Sequence, residues 1–206
     1  MTATEYLSYL VREIHTVVAA TTDENGLPAT AAIDMMAADE NGLYFLTAKG
    51  KRFYERLTRT GYLALTGIKG DDTMHRVAVS MRGRVREAGV GLLPRFMADY
   101  PYMFEIYPSE ASRRALTVFC LYAGAGEWFD LSKKPIERVS FSFGGEADRS
   151  AEYRITDRCI GCGSCASVCP QACIDLSRTP AAIRPQNCLH CGNCFDICPV
   201  GAVERG

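Results

Sequence analysis

Nine of the ten cysteines in this chain of 206 residues lie between Cys159 and Cys198. Eight of them form two runs with the same C-x2-C-x2-C-x3-C-P spacing, which begin at Cys159 and Cys188. Two-residue gaps let one loop carry three thiolates to the corners of an iron–sulfur cube, and small residues between them let backbone N–H groups approach the sulfides. Zinc is the alternative, but zinc sites usually pair two-cysteine knuckles. The spacing therefore predicts [4Fe–4S] clusters.

The two runs resemble the motif of bacterial ferredoxins with two [4Fe–4S] clusters, in which the fourth cysteine of each run ligates the other cluster. The resemblance implies one cluster on Cys159, Cys162, Cys165 and Cys198, and a second on Cys188, Cys191, Cys194 and Cys169. The segments that follow also match, so the ferredoxin domain predicted over 151–206 is an internal repeat.

Two residues of this repeat carry side chains that might suggest ligands. Cys173 aligns with Ala202, and we expect it to be a small buried side chain. His190 aligns with Gly161, and we expect no ligand there either; a hydrogen bond that tunes one cluster is the alternative.

The charge of the repeat is balanced, with five acidic residues and five arginines over 151–206. Free ferredoxins are typically acidic, which steers them to basic partners. A balanced module favours an electron relay inside its own enzyme.

The first 145 residues have a different pattern. Tyr6, Leu7, Leu10, Val11 and Ile14 recur at helical spacing, and two Asn-Gly turns separate β-branched segments. Strands are predicted over 16–22, 28–36, 43–47, 62–68, 75–87, 117–123, 126–131 and 138–143, with helices over 51–59, 92–100 and 109–115. Many hairpins with few helices predict an α+β chain whose N-terminal domain, 1–145, is a closed or split β-barrel. A polar linker is predicted over 142–150.

This series of elements resembles the pyridoxamine 5′-phosphate oxidase-like family of FMN-binding split barrels. The resemblance rests on 17–22, on 28–33 and above all on the segment 42–57, Gly-Leu-Tyr-Phe-Leu-Thr-Ala-Lys-Gly-Lys-Arg-Phe-Tyr-Glu-Arg-Leu. It implies FMN bound in the groove of a homodimer, with strand residues Ile33 and Asp34 offering backbone groups to the flavin ring.

The resemblance also implies a phosphate site. Its residues are Thr47, Ala48, Lys49, Gly50, Lys51 and Arg52. A hydroxyl, three bases and a glycine at a helix start suit an anion. The oxidase proper has basic residues where this chain has Ala31, Met36 and Phe53, so the resemblance does not extend to pyridoxamine phosphate activity. Heme or a deazaflavin are the alternative ligands of the barrel.

A flavin exchanges one or two electrons and each cluster exchanges one. We therefore expect an FMN- and [4Fe–4S]-dependent oxidoreductase, a reductase of an anaerobe, acting on a small molecule and served by a redox partner protein. An electron carrier or redox sensor is the alternative. His75, Tyr100, Tyr102 and Tyr107 are candidate general acids only.

The charge and hydropathy of the chain bear on its partners and its location in the cell. A net charge of −1 argues against a nucleic-acid partner. No run approaches the ~18 apolar residues of a membrane span, and the N-terminus has no signal-peptide pattern. We expect a cytoplasmic protein.

Overall fold

The computed structural model describes residues 1–147 and 152–206. These residues divide into two compact units, each assembled from separate stretches of chain. The first consists of 1–69, 78–126 and 141–147, and the second of 70–77, 127–140 and the described residues after 151. The continuous domains 1–145 and 151–206 stay a prediction, and the last part of the predicted linker, 148–150, lies outside the described residues.

The chain begins with helix α1 (Ala3–Tyr9) and a π-helix (Leu10–Ile14). Next come strands β1 (Thr16–Thr22), β2 (Pro28–Asp39) and β3 (Gly42–Ala48), helix α2 (Arg52–Thr60), and strands β4 (Tyr62–Lys69) and β5 (Val77–Gly89). They are followed by the short helices α3 (Leu93–Asp99), α4 (Met103–Ile106) and α5 (Glu110–Arg113), and by strands β6 (Leu116–Asp130) and β7 (Glu137–Phe143). The remaining elements are β8 (Tyr153–Ile155), α6 (Ser164–Ser167), β9 (Ile174–Asp175), β10 (Ala182–Ile183), α7 (Asn193–Asp196) and β11 (Val203–Arg205).

Six strands close into a barrel in the order β3-β2-β1-β4-β5-β6, because β6 also pairs with β3. The closing ladder is antiparallel and runs from Leu43 opposite Leu121 to Ala48 opposite Leu116. Strand β7 extends the sheet from β6. The predicted α+β class with an N-terminal barrel is confirmed.

Alternation along β3 explains how the barrel fills. Phe45 is fully buried and stacks on Phe119 of β6, with ring centroids 5.8 Å apart. Tyr44 lies on the opposite face and packs with Phe96 and Met97 of α3. Residues that alternate in a strand face opposite sides of a sheet, so β3 serves both the barrel interior and the helical layer.

The predicted break between strands 117–123 and 126–131 is wrong, because β6 is continuous through Gly124. A Cβ atom on Gly83 of β5 would lie 2.2 Å from the carbonyl oxygen of Ala123, and one on Gly124 would lie 3.1 Å from the Cα atom of Gly83. Glycine here marks a close approach of two backbones rather than a turn.

The amphipathic segment near the N-terminus changes its helical type. After α1 the chain forms a π-helix that ends at His15, whose φ of 64° and ψ of −66° are strained for a residue with a side chain. Its backbone oxygen accepts a hydrogen bond from the Met35 amide at 2.8 Å, which fixes this turn against β2. None of the helices in the two described ranges is both long and apolar enough to cross a membrane.

The second unit contains two small antiparallel pairs, β8 with β11 and β9 with β10. The hairpin residues 127–140 belong to this unit and bond directly to it. The Ile136 amide donates to Gln171 Oε1 at 3.0 Å, and Asn187 Nδ2 donates to the Ile136 oxygen at 3.1 Å.

Candidate functional site

Four of the predicted cluster ligands line one pocket of the second unit. They are Cys159, Cys162, Cys165 and Cys198. The fourth comes from the second run, as the exchange of fourth cysteines requires. Apolar side chains such as Ile155, Leu176 and Val203 complete the walls. Four thiols around an apolar pocket suit a [4Fe–4S] cluster.

The other four predicted ligands line a second pocket. They are Cys169, Cys188, Cys191 and Cys194, and Cys173 lines the same pocket. Within residues 1–147 and 152–206, no three His, Cys, Asp or Glu side chains converge as ligands of a single metal ion.

The two runs build the same loop twice. In each, a glycine with positive φ, Gly163 or Gly192, precedes one turn of helix that carries the third cysteine. The second residue after the first cysteine is Gly161 in the first run, with φ of 69°. The equivalent residue of the second run is His190, which has a similar φ of 54°. Since the left-handed path favours glycine, His190 holds a loop conformation set by the motif. Its imidazole lies edge-on to the Tyr153 ring, 6.1 Å between centroids.

The predicted phosphate site lies in the first unit, between β3 and α2. Lys49, Gly50, Lys51 and Arg52 are exposed, and Ala48 is half-buried. Lys51 caps α2 without a side-chain hydrogen bond, which leaves first-turn amides of the helix open to an anion.

Thr47 gives the phosphate site an unpaired buried donor. Its side chain is 2% exposed, and its hydroxyl has no hydrogen-bond partner among the described residues. Its cross-strand partner Thr117 is equally buried but donates to Glu87 Oε1 at 2.6 Å. An unpaired buried hydroxyl is unfavourable and calls for a ligand or water. Thr47 therefore fits a bound phosphate group such as that of FMN.

The two predicted flavin-ring residues lie on β2. Ile33 is 8% exposed and pairs with Val17 of β1. Asp34, its neighbour, points its carboxylate into a polar cluster that the sequence did not predict.

That cluster joins three elements at the start of β1. Tyr102 donates its hydroxyl proton to Asp34 Oδ2 at 2.8 Å, and Thr16 donates to Oδ1 at 2.6 Å. His15 Nε2 lies 3.3 Å from the Tyr102 hydroxyl and 3.6 Å from Asp34 Oδ2. Because the single phenolic proton points at Asp34, the hydrogen bond between His15 and Tyr102 requires Nε2–H of His15 as the donor, and Asp34 is a neighbouring carboxylate outside hydrogen-bond distance of the imidazole. About a third of each of the His15 and Asp34 side chains is exposed, so solvent reaches the cluster.

The aromatic residues of the cluster are tied to the sheet. Tyr100 stacks on His15 at 5.2 Å and donates its hydroxyl to the Met36 oxygen at 2.9 Å. Burial, and then the hydrogen bond to Asp34, raise the pKa of Tyr102 far above its ordinary value. Tyr102 therefore keeps its proton at neutral pH while it contacts a carboxylate and an imidazole.

The remaining candidate acids are not brought to this cluster. His75 lies in the second unit, where its exposed Nδ1 contacts Asp72 at 2.6 Å. Tyr107 ends α4 and packs on the helical layer. Of the four candidates, only Tyr100 and Tyr102 contact His15. The sequence analysis missed His15, because it is 87 residues from Tyr102 and no local pattern indicates that they meet.

Two family models match the chain. The pyridoxamine 5′-phosphate oxidase model matches residues 3–121, and the 4Fe-4S dicluster domain model matches residues 158–202. No curated protein sequence matches the chain significantly.

Solved structures share the barrel at low sequence identity. A NimC/NimA family protein from Clostridium acetobutylicum is 14% identical with a TM-score of 0.57, over 68% of this chain and 92% of the other. A heme binding protein from Mycobacterium smegmatis is 12% identical with a TM-score of 0.53, over 68% and 58%. PhzG from Burkholderia lata is 17% identical with a TM-score of 0.52, over 68% and 80%. These likenesses concern the fold.

The oxidase model covers more than half of the chain, and the closed barrel described above agrees with it. The dicluster model covers both cysteine runs. The chain belongs to the pyridoxamine 5′-phosphate oxidase family and carries a 4Fe-4S ferredoxin domain in its last quarter.

Proposed function

We propose that the protein is a flavin- and iron–sulfur-dependent reductase, in which two [4Fe–4S] clusters relay electrons to FMN. The observation that carries the proposal is the division of eight cysteines between two pockets, four to each, in one chain with an oxidase-family barrel. An oxidase that uses O2 directly has no need of clusters, whereas a reductase needs a supply of low-potential electrons.

The numbers of electrons are compatible. Each cluster would supply one electron at a time, and FMN, when bound, would supply two-electron hydride chemistry. Two clusters per chain therefore match one hydride transfer.

The residues that would hold FMN are those of the anion site and β2. Thr47, Lys51 and Arg52 would bind the phosphate together with the open amides of α2. The backbone at Ile33 and Asp34 would face the ring.

A substrate that accepts a hydride also needs a proton. Tyr102, His15 and Asp34 form a solvent-accessible cluster of proton-carrying groups, and Asp34 belongs to the predicted flavin-facing strand. We assign proton delivery to this cluster, with His15 as the donor and with Tyr102 and Asp34 as the groups that position it.

Anaerobic purification tests the proposal. We expect about eight irons, eight sulfides and one FMN per chain, and rapid reoxidation of the reduced protein by a small-molecule acceptor rather than only by a protein. Zinc without sulfide would contradict the cluster assignment.

A heme protein is the second candidate, favoured by the heme binding protein that shares the barrel. An electron carrier is the alternative that the ferredoxin domain favours. A heme spectrum in place of flavin, or reoxidation by protein partners alone, would support it. The proposal includes a cytoplasmic homodimer, because the family resemblance implies a flavin groove between two subunits.

A further inference from the structure

The second cluster pocket contains a fifth thiol. Cys173 lines it together with the four predicted ligands, and its side chain is 2% exposed. Its Sγ atom lies 3.4 Å from the Sγ atom of the ligand Cys169, within reach of an S–H···S hydrogen bond. The small buried side chain expected from the repeat therefore also touches a ligand sulfur.

The first pocket repeats this geometry without the thiol. Ala202 occupies the position of Cys173, is 1% exposed and lines the first pocket. The Ala202 amide donates to Cys198 Sγ at 3.2 Å, and the Cys173 amide donates to Cys169 Sγ at 3.4 Å. The backbones match, so the two sites differ here by one S–H group.

We propose that the Cys173 thiol donates a hydrogen bond to Cys169 and makes the second cluster, on Cys169, Cys188, Cys191 and Cys194, the more easily reduced of the two. The inference rests on the proposed function, because it requires both clusters. A donor at a ligand sulfur withdraws negative charge from the cluster and favours its reduced form.

The consequence is a direction for the relay. One electron leaves the first cluster and enters the second, no bond to iron forms or breaks, and the equilibrium favours the second cluster. Cys173 acts on the second cluster through the ligand sulfur of Cys169, while the eight motif cysteines remain the ligands.

Redox titration followed by electron paramagnetic resonance tests this on the whole anaerobic protein. Cys173→Ala should lower the midpoint reduction potential of the second cluster. The equilibrium of electron exchange should shift toward the first cluster by about tenfold, which for one electron is about 59 mV. Cys173→Ser retains a donor and should lie close to the wild type. Ala202→Cys is the mirror variant and should raise the midpoint of the first cluster.

Iron content separates the outcomes. Unchanged midpoints in Cys173→Ala with full iron would overturn the inference, and so would loss of half or more of the iron, which would make Cys173 a ligand. A wild-type protein without two clusters would defeat the proposed function itself. A lowered midpoint with full iron supports both.

Discussion

Replacing Thr47 by valine should stabilise the flavin-free protein and weaken its binding of FMN. The Thr47 hydroxyl is buried without a partner, so the free protein bears the unfavourable energy of a desolvated hydroxyl, about 1–3 kcal/mol. Valine has the same shape without the hydroxyl and suits a strand. For a chain of this size each kcal/mol corresponds to about 2–4 °C in melting temperature.

The effect on FMN has the opposite sign. A hydrogen bond from Thr47 to a charged phosphate contributes about 1.5–3 kcal/mol. Its loss should raise the dissociation constant for FMN by about 10- to 150-fold. The measurements are thermal unfolding of flavin-free protein by circular dichroism and titration of FMN fluorescence, both without oxygen.

Thr117→Val is the matched control. Thr117 faces Thr47 across the closing ladder and is equally buried, but its hydroxyl already donates to Glu87. This variant should lose about 1–2 kcal/mol of stability. A Thr47→Val protein that melts lower than the wild type would refute the unpaired hydroxyl, and unchanged FMN affinity would refute the phosphate site.

Four further predictions concern the other sites. The raised pKa of Tyr102 means that the folded protein holds the phenolic proton more tightly than the unfolded chain does. The resulting contribution to the free energy of unfolding is present below about pH 10 and is lost as the pH rises further. In urea unfolding at increasing pH, Tyr102→Phe should therefore lose less stability at alkaline pH than the wild type. Arg52→Gln at the start of α2 should weaken FMN binding about tenfold and reduce its salt dependence, whereas Arg59→Gln in the last turn of the same helix should change neither. Cys159→Ala should leave at most half of the iron, by colorimetric assay. Light scattering after gel filtration should give twice the mass of one chain, and a monomer that still binds FMN would contradict the groove between subunits.

The features that were predictable from sequence are those encoded over short distances. The cysteine runs fix their own loops, so their grouping into two pockets followed from the spacing and the ferredoxin resemblance, and the ligand sets themselves stay a prediction. The strands of the barrel follow from β-branched segments and Asn-Gly turns, and α2 begins at Arg52, one residue after the predicted start.

The features that escaped prediction depend on contacts between distant segments. Tyr102 and Asp34 are 68 residues apart, and no periodicity indicates that their side chains meet. The turn at His15 follows a π-helix, whose spacing of apolar residues looks like that of an α-helix. Gly124 resembled a turn residue because its partner backbone at Gly83 cannot be seen in a linear pattern.

Cys198 lines the first pocket and Cys169 the second, so binding of the two proposed clusters would turn the ferredoxin domain into two interlocked loops. The iron–sulfur bond at Cys198 would link it to the first cysteine run, and the bond at Cys169 would link it to the second run. The two stretches of chain that these bonds close therefore overlap. Each closure reduces the entropy of the unfolded chain. Loss of either cluster releases a loop that also holds ligands of the other. We therefore expect iron to be gained and lost in one cooperative step, with few half-loaded molecules during chelation.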